Sequence, residues 1–221
     1  MKLSAVILAR VLAFIETFDL DPNGSVFFPA SIGGIVERFK FQKFPKTFEE
    51  TDEQQGVNFL EGVWNGVTID KLTIFQGALV IDTRSSTEVS ETILHEALLW
   101  AAGKFGFHYE PKMISRKRYL SDLTFYSDAP LLVTNSALLN LAASVSNHME
   151  KIIGERLEYH PYRIDIDFDR TNRQMPIAGL NIQRRAEVPF SENKYFSEAP
   201  LPTDIHIKLL EQFESDILAT K

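Results

Sequence analysis

The sequence predicts an α+β fold, an antiparallel sheet of two hairpin or meander units with helices packed on one face. Three observations carry that prediction. The β-rich runs VNFLEGVW and VTIDKLTIF flank Asn65–Gly66, the pair preferred where a type I′ hairpin turn needs positive φ at both central residues. Gln76–Gly77 then turns the chain again into ALVID, which completes a three-stranded meander. Finally, the elements run in the order α-α-βββ-α-β-α-ββ-α, without the strict alternation that a parallel βαβ sheet requires.

The elements follow in chain order. Residues 3–20 predict a helix that is apolar almost all round, broken by Ser4, Arg10 and Glu16; such a helix is central in its fold or lies in a subunit contact. A Lys before an apolar run also has the outline of a secretory leader. Arg10 interrupts the run and no small-residue cleavage site follows, so a buried helix is expected. No stretch is long and apolar enough to span a bilayer. Asp21–Gly24 is strong turn chemistry, followed by a short extended piece, Val26 to Phe28. Pro29 suits the first turn of a second helix that runs to Phe39, although Gly33 and Gly34 weaken it. This helical part, about residues 1–48, is expected to pack on the sheet.

Within residues 39–48, Phe39, Phe41, Phe44 and Phe48 are interleaved with Lys40, Lys43 and Lys46. A single-stranded nucleic-acid platform uses that pattern. So does an edge strand or loop whose rings enter the core while its lysines stay wet. The acidic run EETDE follows directly and favours the second reading.

After the meander, Ser85 and Glu88 have capping-box spacing, and Val89, Ile93, Ala97, Ala101 and Phe105 form one stripe of a helix that Gly103 or Gly106 ends. RKRYLSDLTFY predicts a strand. Asn135 or Ser136 caps a helix to about Ile153, closed by Gly154. LEYHPYRIDIDFD and IAGLNIQRRAEV predict a second hairpin. Residues 188–204 read as a long irregular segment, and Thr203 caps a last helix with Ile205, Leu209, Leu210, Phe213 and Ile217 on one face. All 221 residues are expected to form one α+β domain, with a hairpin-then-helix unit recurring around 57–106 and 157–218 as weak evidence of duplication.

Composition narrows function by exclusion. A net charge of -7 opposes general binding to phosphate backbones. With no Cys, disulfides, thiolate nucleophiles and Cys-ligated metals are excluded, and a cytoplasmic location is expected. The 17 Phe against 2 Trp and 6 Tyr mean that a core or binding surface is built from rings without a polar handle.

The candidate sites are few. Asp165, Asp167 and Asp169 alternate with Ile164, Ile166 and Phe168, so one strand face carries three carboxylates. Such a face can hold Mg²⁺ or Mn²⁺. The same alternation arises on the wet face of any half-buried strand, where Arg163, Arg170, Arg173, Arg184 and Arg185 answer the charge. Lys112, Arg116, Lys117 and Arg118 form the densest positive set; with Arg184 and Arg185 on another strand they are the candidate anion site, against the alternative of a solvated strand entry. Glu91 and His95 lie one helical turn apart and should meet as an ion pair. None of the five His has metal-ligand spacing, and no nucleophile-elbow, phosphate-loop or dinucleotide motif occurs. Phe190, Tyr195 and Phe196, with three prolines in 188–204, are the candidate partner-binding rings of a segment that either clasps a partner or lies across its own sheet.

The expected function is therefore a non-enzymatic interaction or assembly protein. It acts through apolar and aromatic surfaces, binds another protein or itself as a homo-oligomer, and needs no cofactor. Two alternatives stand beside it: a metal-dependent phosphoester hydrolase or nuclease built on the three aspartates, and a small-molecule-binding domain with a Phe-lined pocket between sheet and helix.

Overall fold

The computed structural model describes residues 1–22, 24, 27–171, 177–186 and 188–220. Asn23, Val26 and Arg173, on which parts of the sequence reading fall, lie outside them. The elements are β1 (Lys2–Phe14), a single turn α1 (Thr17–Leu20), α2 (Phe28–Phe39), β2 (Val57–Trp64), β3 (Val67–Phe75), β4 (Ala78–Thr83), α3 (Thr87–Phe105), β5 (Arg116–Tyr126), α4 (Ser136–Ile153), β6 (Arg163–Ile166), β7 (Leu180–Arg184), β8 (Lys194–Ala199) and α5 (Thr203–Ala219). The eight strands form an antiparallel sheet in the order β2-β3-β4-β1-β5-β8-β7-β6, so the α+β class holds. Among the described residues, no helix is long and apolar enough to cross a membrane.

Two elements differ from the sequence reading. The first segment is a strand, not a helix. Ala9, Val11, Ala13 and Ile15 turn inward and are fully buried, while Arg10 turns outward and donates to both oxygens of Asp82 at 2.7 Å. A segment apolar on both faces hides its period, so a buried strand and a buried helix read alike. The lone Arg10, answered by a charge directly across the β1–β4 ladder, was the strand signal. In 188–204, the expected irregular segment contains a 3-10 turn (Phe190–Glu192) and then β8. Tyr195, Ser197 and Ala199 point inward, and Lys194, Phe196 and Glu198 outward. With Ser and Ala on the buried face and Phe on the other, the hydrophobic alternation is inverted in part and escapes a pattern search.

By internal contacts the chain falls into two compact units, each described by itself. The meander unit comprises Val6–Asp122 with Pro200–Ile205, and the second comprises Met1–Ala5, Leu123–Ala199 and His206–Lys221.

In the meander unit, Asn65 (φ 46°) and Gly66 (φ 81°) make the predicted turn between β2 and β3. Register then aligns the core: Phe59 faces Leu72, Leu72 faces Ile81, and Ile81 faces Val11. A second row runs Val57, Ile74, Leu79 and Ala13. The alternate positions carry Lys71, Asp82 and Arg10 in one polar row on the opposite face. Onto the apolar face pack Ile35 and Phe39 of α2 and Ile93, Leu94, Ala97 and Leu98 of α3. Fully burying an Ile, Leu or Phe side chain such as Ile93, Leu94 or Phe39 stabilises the fold by about 1.5–3 kcal/mol.

Helix α3 starts where its sequence signals it. Ser86, rather than Ser85, is the N-cap and accepts from Val89 N, and Gly106 ends the helix in the left-handed conformation. Gly34 in α2 has a packing role. A Cβ there would come within 2.8 Å of the Phe105 ring of α3, so the glycine lets the two helices approach.

The second unit is centred on Leu123, Phe125, Leu131, Ile182, Tyr195 and Leu210, all buried. The Tyr195 hydroxyl accepts from Leu131 N at 3.0 Å, and its ring lies 5.8 Å from that of Phe125. Glu214 of α5 accepts from Ser127 Oγ at 2.6 Å and Asp128 N at 2.7 Å, and pairs with the Met1 amino group. Asn135 caps α4 and Gly154 closes it, as predicted.

Candidate functional site

Four phenylalanines stand at the ends of elements: Phe28 opens α2, Phe39 closes it, Phe75 closes β3 and Phe105 closes α3. The fold of the meander unit brings these ends together. With Phe107, Trp100 and the aliphatic side chains of Ile15, Ile35, Leu72, Ile74 and Leu79, they line a cavity of about 90 Å³ between α2, α3 and the sheet. A ring ladder feeds it. Phe59 and Phe41 lie 5.4 Å apart, Phe41 and Phe39 6.0 Å, Phe39 and Trp100 5.9 Å, and Trp100 and Phe105 5.3 Å, the last two edge to face. Edge-to-face contact is the favoured geometry for ring quadrupoles, so the ladder stiffens the wall.

Two polar groups reach this lining. Ser31 is buried and donates to Phe28 O at 2.7 Å, which leaves its oxygen lone pairs free to accept. Glu53 is the one ionisable residue of the lining. Burial, with Asp52 adding to it, pushes its carboxyl pKa up. Among the described residues no side chain or backbone donor is bonded to that carboxyl. The cavity is thus a ring-walled, largely apolar space with one acid and one acceptor.

A second cluster in the same unit joins α3 to β5. Lys117 Nζ pairs with Glu91 and lies 3.2 Å from His95 Nε2, Tyr119 donates its hydroxyl to Glu91 at 2.9 Å, and His95 Nδ1 lies 2.5 Å from the Tyr109 hydroxyl. Burial pushes Glu91 up, but the bonds from Lys117 and Tyr119 outweigh it and hold its pKa below the ordinary value. Burial and the Lys117 charge lower His95, so its imidazole is neutral at pH 7. Burial and the Glu91 charge raise Tyr109 to about 12; burial and the bond to Glu91 do the same for Tyr119. With Lys117 donating to Nε2, the His95 proton sits on Nδ1 and points to Tyr109. Each polar tip is answered by another member, and the cluster braces α3 on the sheet.

The residues of the expected anion site lie apart on the strand. Lys117 points to α3 and is committed to Glu91, while Arg116 and Arg118 lie on the opposite face, over the Phe14 ring at 4.3 and 5.6 Å. Alternation along a strand separates the three. Arg184 and Arg185 fall in the other unit. Arg184 is buried, donates to Phe190 O at 3.0 Å and stacks on the Phe190 ring at 4.4 Å, while Arg185 is exposed.

The three aspartates do not form a set. Only Asp165 is on β6, which ends at Ile166, and it takes Arg163 as partner. Asp167 accepts from Arg170 at 2.9 Å, and Asp169 accepts from Thr171 N at 2.9 Å. Among the described residues no group of three or more His, Asp or Glu is arranged to hold a metal ion. Local partners, the arginines above all, answered the charge within a few residues, and pairing with β7 stopped before Asp167.

Of the expected partner-binding rings, Tyr195 is fully buried and belongs to the core, because β8 turns it inward. Phe190 is exposed and covers Arg184, and Phe196 is half-buried. Of the interleaved rings, Phe39 and Phe41 are core and only Phe48 is fully out in solvent, so the edge reading holds and no aromatic platform forms there. The buried Ser197–His206 contact, 2.8 Å, is no nucleophile–base pair. Ser197 already donates to Asn181 O at 2.6 Å, so the imidazole must be the donor to it.

Sequence reading named a Phe-lined pocket without its residues. Its signal was phenylalanine at element ends, where a side chain overhangs the gap between two elements. The chain matches no protein-family model, and no curated protein matches it significantly.

Proposed function

We propose that the chain is a binding module whose meander unit takes up a small apolar molecule in the ring-lined cavity. The observation that carries this reading is the cavity itself: an unfilled, partly open space of about 90 Å³ lined almost entirely by apolar side chains. Protein interiors are packed to crystal density, and apolar voids of this kind stay dry and take up small apolar guests. It is smaller than the roughly 150 Å³ engineered cavity that takes up benzene, so the buried body of the ligand is no larger than one ring or a short branched chain. Xenon titration followed by ¹²⁹Xe NMR, with thermal shifts in toluene, tests it. Saturable xenon exchange and a toluene-dependent rise in melting temperature are expected, and Ala101→Leu, which fills the space, should abolish both. Xenon and toluene indifference of the unaltered protein would reject the reading.

A second reading, assembly with a second copy of this chain, is favoured by α4. Leu138, Leu141, Val145, His148 and Ile152 recur at three- and four-residue spacing, and Leu141 and Ile152 are 60% and 74% exposed. The row contains no Asp, Glu, Lys or Arg, so it can oppose its own copy without like-charge repulsion. Leu157, Tyr159, Tyr162 and Ile166, in the chain after the helix, are exposed as well. Light scattering should show a dimer that Leu141→Glu converts to a monomer with an unchanged circular dichroism spectrum. A monomer at every concentration of the unaltered chain would remove this reading.

A further inference from the structure

We propose that the cavity's ligand is a small apolar amine, its ammonium held by Glu53 and its hydrocarbon body among the rings. This rests on the small-molecule reading above and names the ligand's chemical class.

Three features of the lining support it. Glu53 is the one ionisable residue there, and no basic side chain accompanies it. An acidic ligand would bring a second negative charge to a shielded carboxylate with nothing to offset it. A neutral hydrocarbon would leave the carboxylate as poorly solvated as it found it. An ammonium supplies the missing opposite charge and three N–H donors, and a charge-assisted hydrogen bond to a carboxylate is about twice as strong as a neutral one.

The rings act in the same direction. The faces of Trp100, Phe28, Phe39, Phe105 and Phe107 carry negative quadrupole, and they attract a cation that approaches within about 6 Å. Ser31 adds an acceptor, since its own hydrogen is spent on Phe28 O. Both polar side chains of the lining can thus accept, and neither is basic. The raised pKa of Glu53 is what an acid so placed shows before a cation joins it.

The size of the space sets the rest. The cavity holds a phenyl or isobutyl group but no second ring, so the probes are benzylamine and isoamylamine, each against its neutral alcohol and the matching carboxylate. Calorimetric titration of the full chain at pH 7 should rank amine over alcohol by about tenfold, the scale of one charge-assisted hydrogen bond in a partly open site, with no detectable binding of the carboxylates. Glu53→Gln should reduce the amine to the level of the alcohol while leaving alcohol and toluene binding within about twofold.

The outcomes are separable. If alcohols and amines bind equally to the unaltered protein, or if Glu53→Gln leaves the amine preference in place, the amine assignment is overturned and the apolar-ligand reading survives. If toluene, xenon and all six probes fail to bind, that reading fails and the assignment falls with it. If Glu53→Gln does not fold, Glu53→Asp serves: it keeps the charge, withdraws it by one methylene, and should weaken the amine but not toluene. Unchanged amine affinity in Glu53→Asp and unchanged discrimination against carboxylates would also overturn the assignment.

Discussion

Phe41→Ala is expected to lower the unfolding free energy by about 4 kcal/mol, the range for emptying a phenylalanine site that cannot collapse. Phe41 is buried and is the middle ring between Phe59 on β2 and Phe39 on α2. It also seals the surface of β2 at Gly62, where a Cβ would lie 2.4 Å from its ring and 3.0 Å from Phe39 O. Collapse is prevented on both sides by backbone: the chain at 42–43 is bonded to Leu60 and Glu61. Gly62→Ala alone should cost about 1–3 kcal/mol by overpacking. The double variant should cost less than the two singles together, by at least about 1 kcal/mol, because the new methyl enters the space the ring vacates. Urea midpoints at constant slope measure all three. Strict additivity would show that the ring is not what excludes a side chain at position 62.

Glu214→Ala is the other large effect, about 3 kcal/mol, because it strands a cation and two donors in a buried site. The carboxylate collects the Met1 amino group, the Ser127 hydroxyl and Asp128 N, and both ends of the ion pair are nearly closed to solvent. Its pH signature has two arms. Burial raises Glu214, but the bonds from the Met1 amine, Ser127 and Asp128 outweigh it, so the folded pKa is lowered from 4.5. Its contribution is complete above pH 4.5 and is lost as pH falls through the lowered value. The Met1 amine moves the other way. Its bond to Glu214 outweighs burial and raises it above 8.0, so its contribution is complete below pH 8.0 and is lost as pH rises through the raised value. Stability should therefore be flat between about pH 4.5 and 8.0 in these two groups and fall on either side. Glu214→Gln should flatten both arms. Guanidinium midpoints from pH 3 to 10 read this directly, and an alkaline arm that persists in Glu214→Gln would assign it to another group.

The meander, α3, β5, α4 and α5 were legible from local chemistry. Asn65–Gly66, the Asn135 cap and the two closing glycines 106 and 154 act within four residues of themselves, so their information is local; the α3 cap was legible to within one residue, Ser86 taking the place of Ser85. β1 and β8 were not legible as strands. Val11 and Ala13 are inward, and Leu12 and Phe14 are apolar as well, so no period survives in β1. In β8 the buried face is Tyr, Ser and Ala, small or polar residues made acceptable only by partners such as Leu131 N and His206. Site residues were hardest. The aspartates looked like a set because they are near in sequence, and Arg163 and Arg170 disperse them. The cavity rings are far apart in sequence and form a set only in space.

Local sequence thus determined the class of fold, the meander turn, most helix ends and the period of the amphipathic helices, because those depend on neighbours a few bonds away. Tertiary structure alone decided which strand lies at the centre, which face Lys117 takes, and that Phe28, Phe39, Phe75 and Phe105 wall one cavity beside Glu53. Burial and pairing depend on side chains tens of residues distant, which no local pattern records.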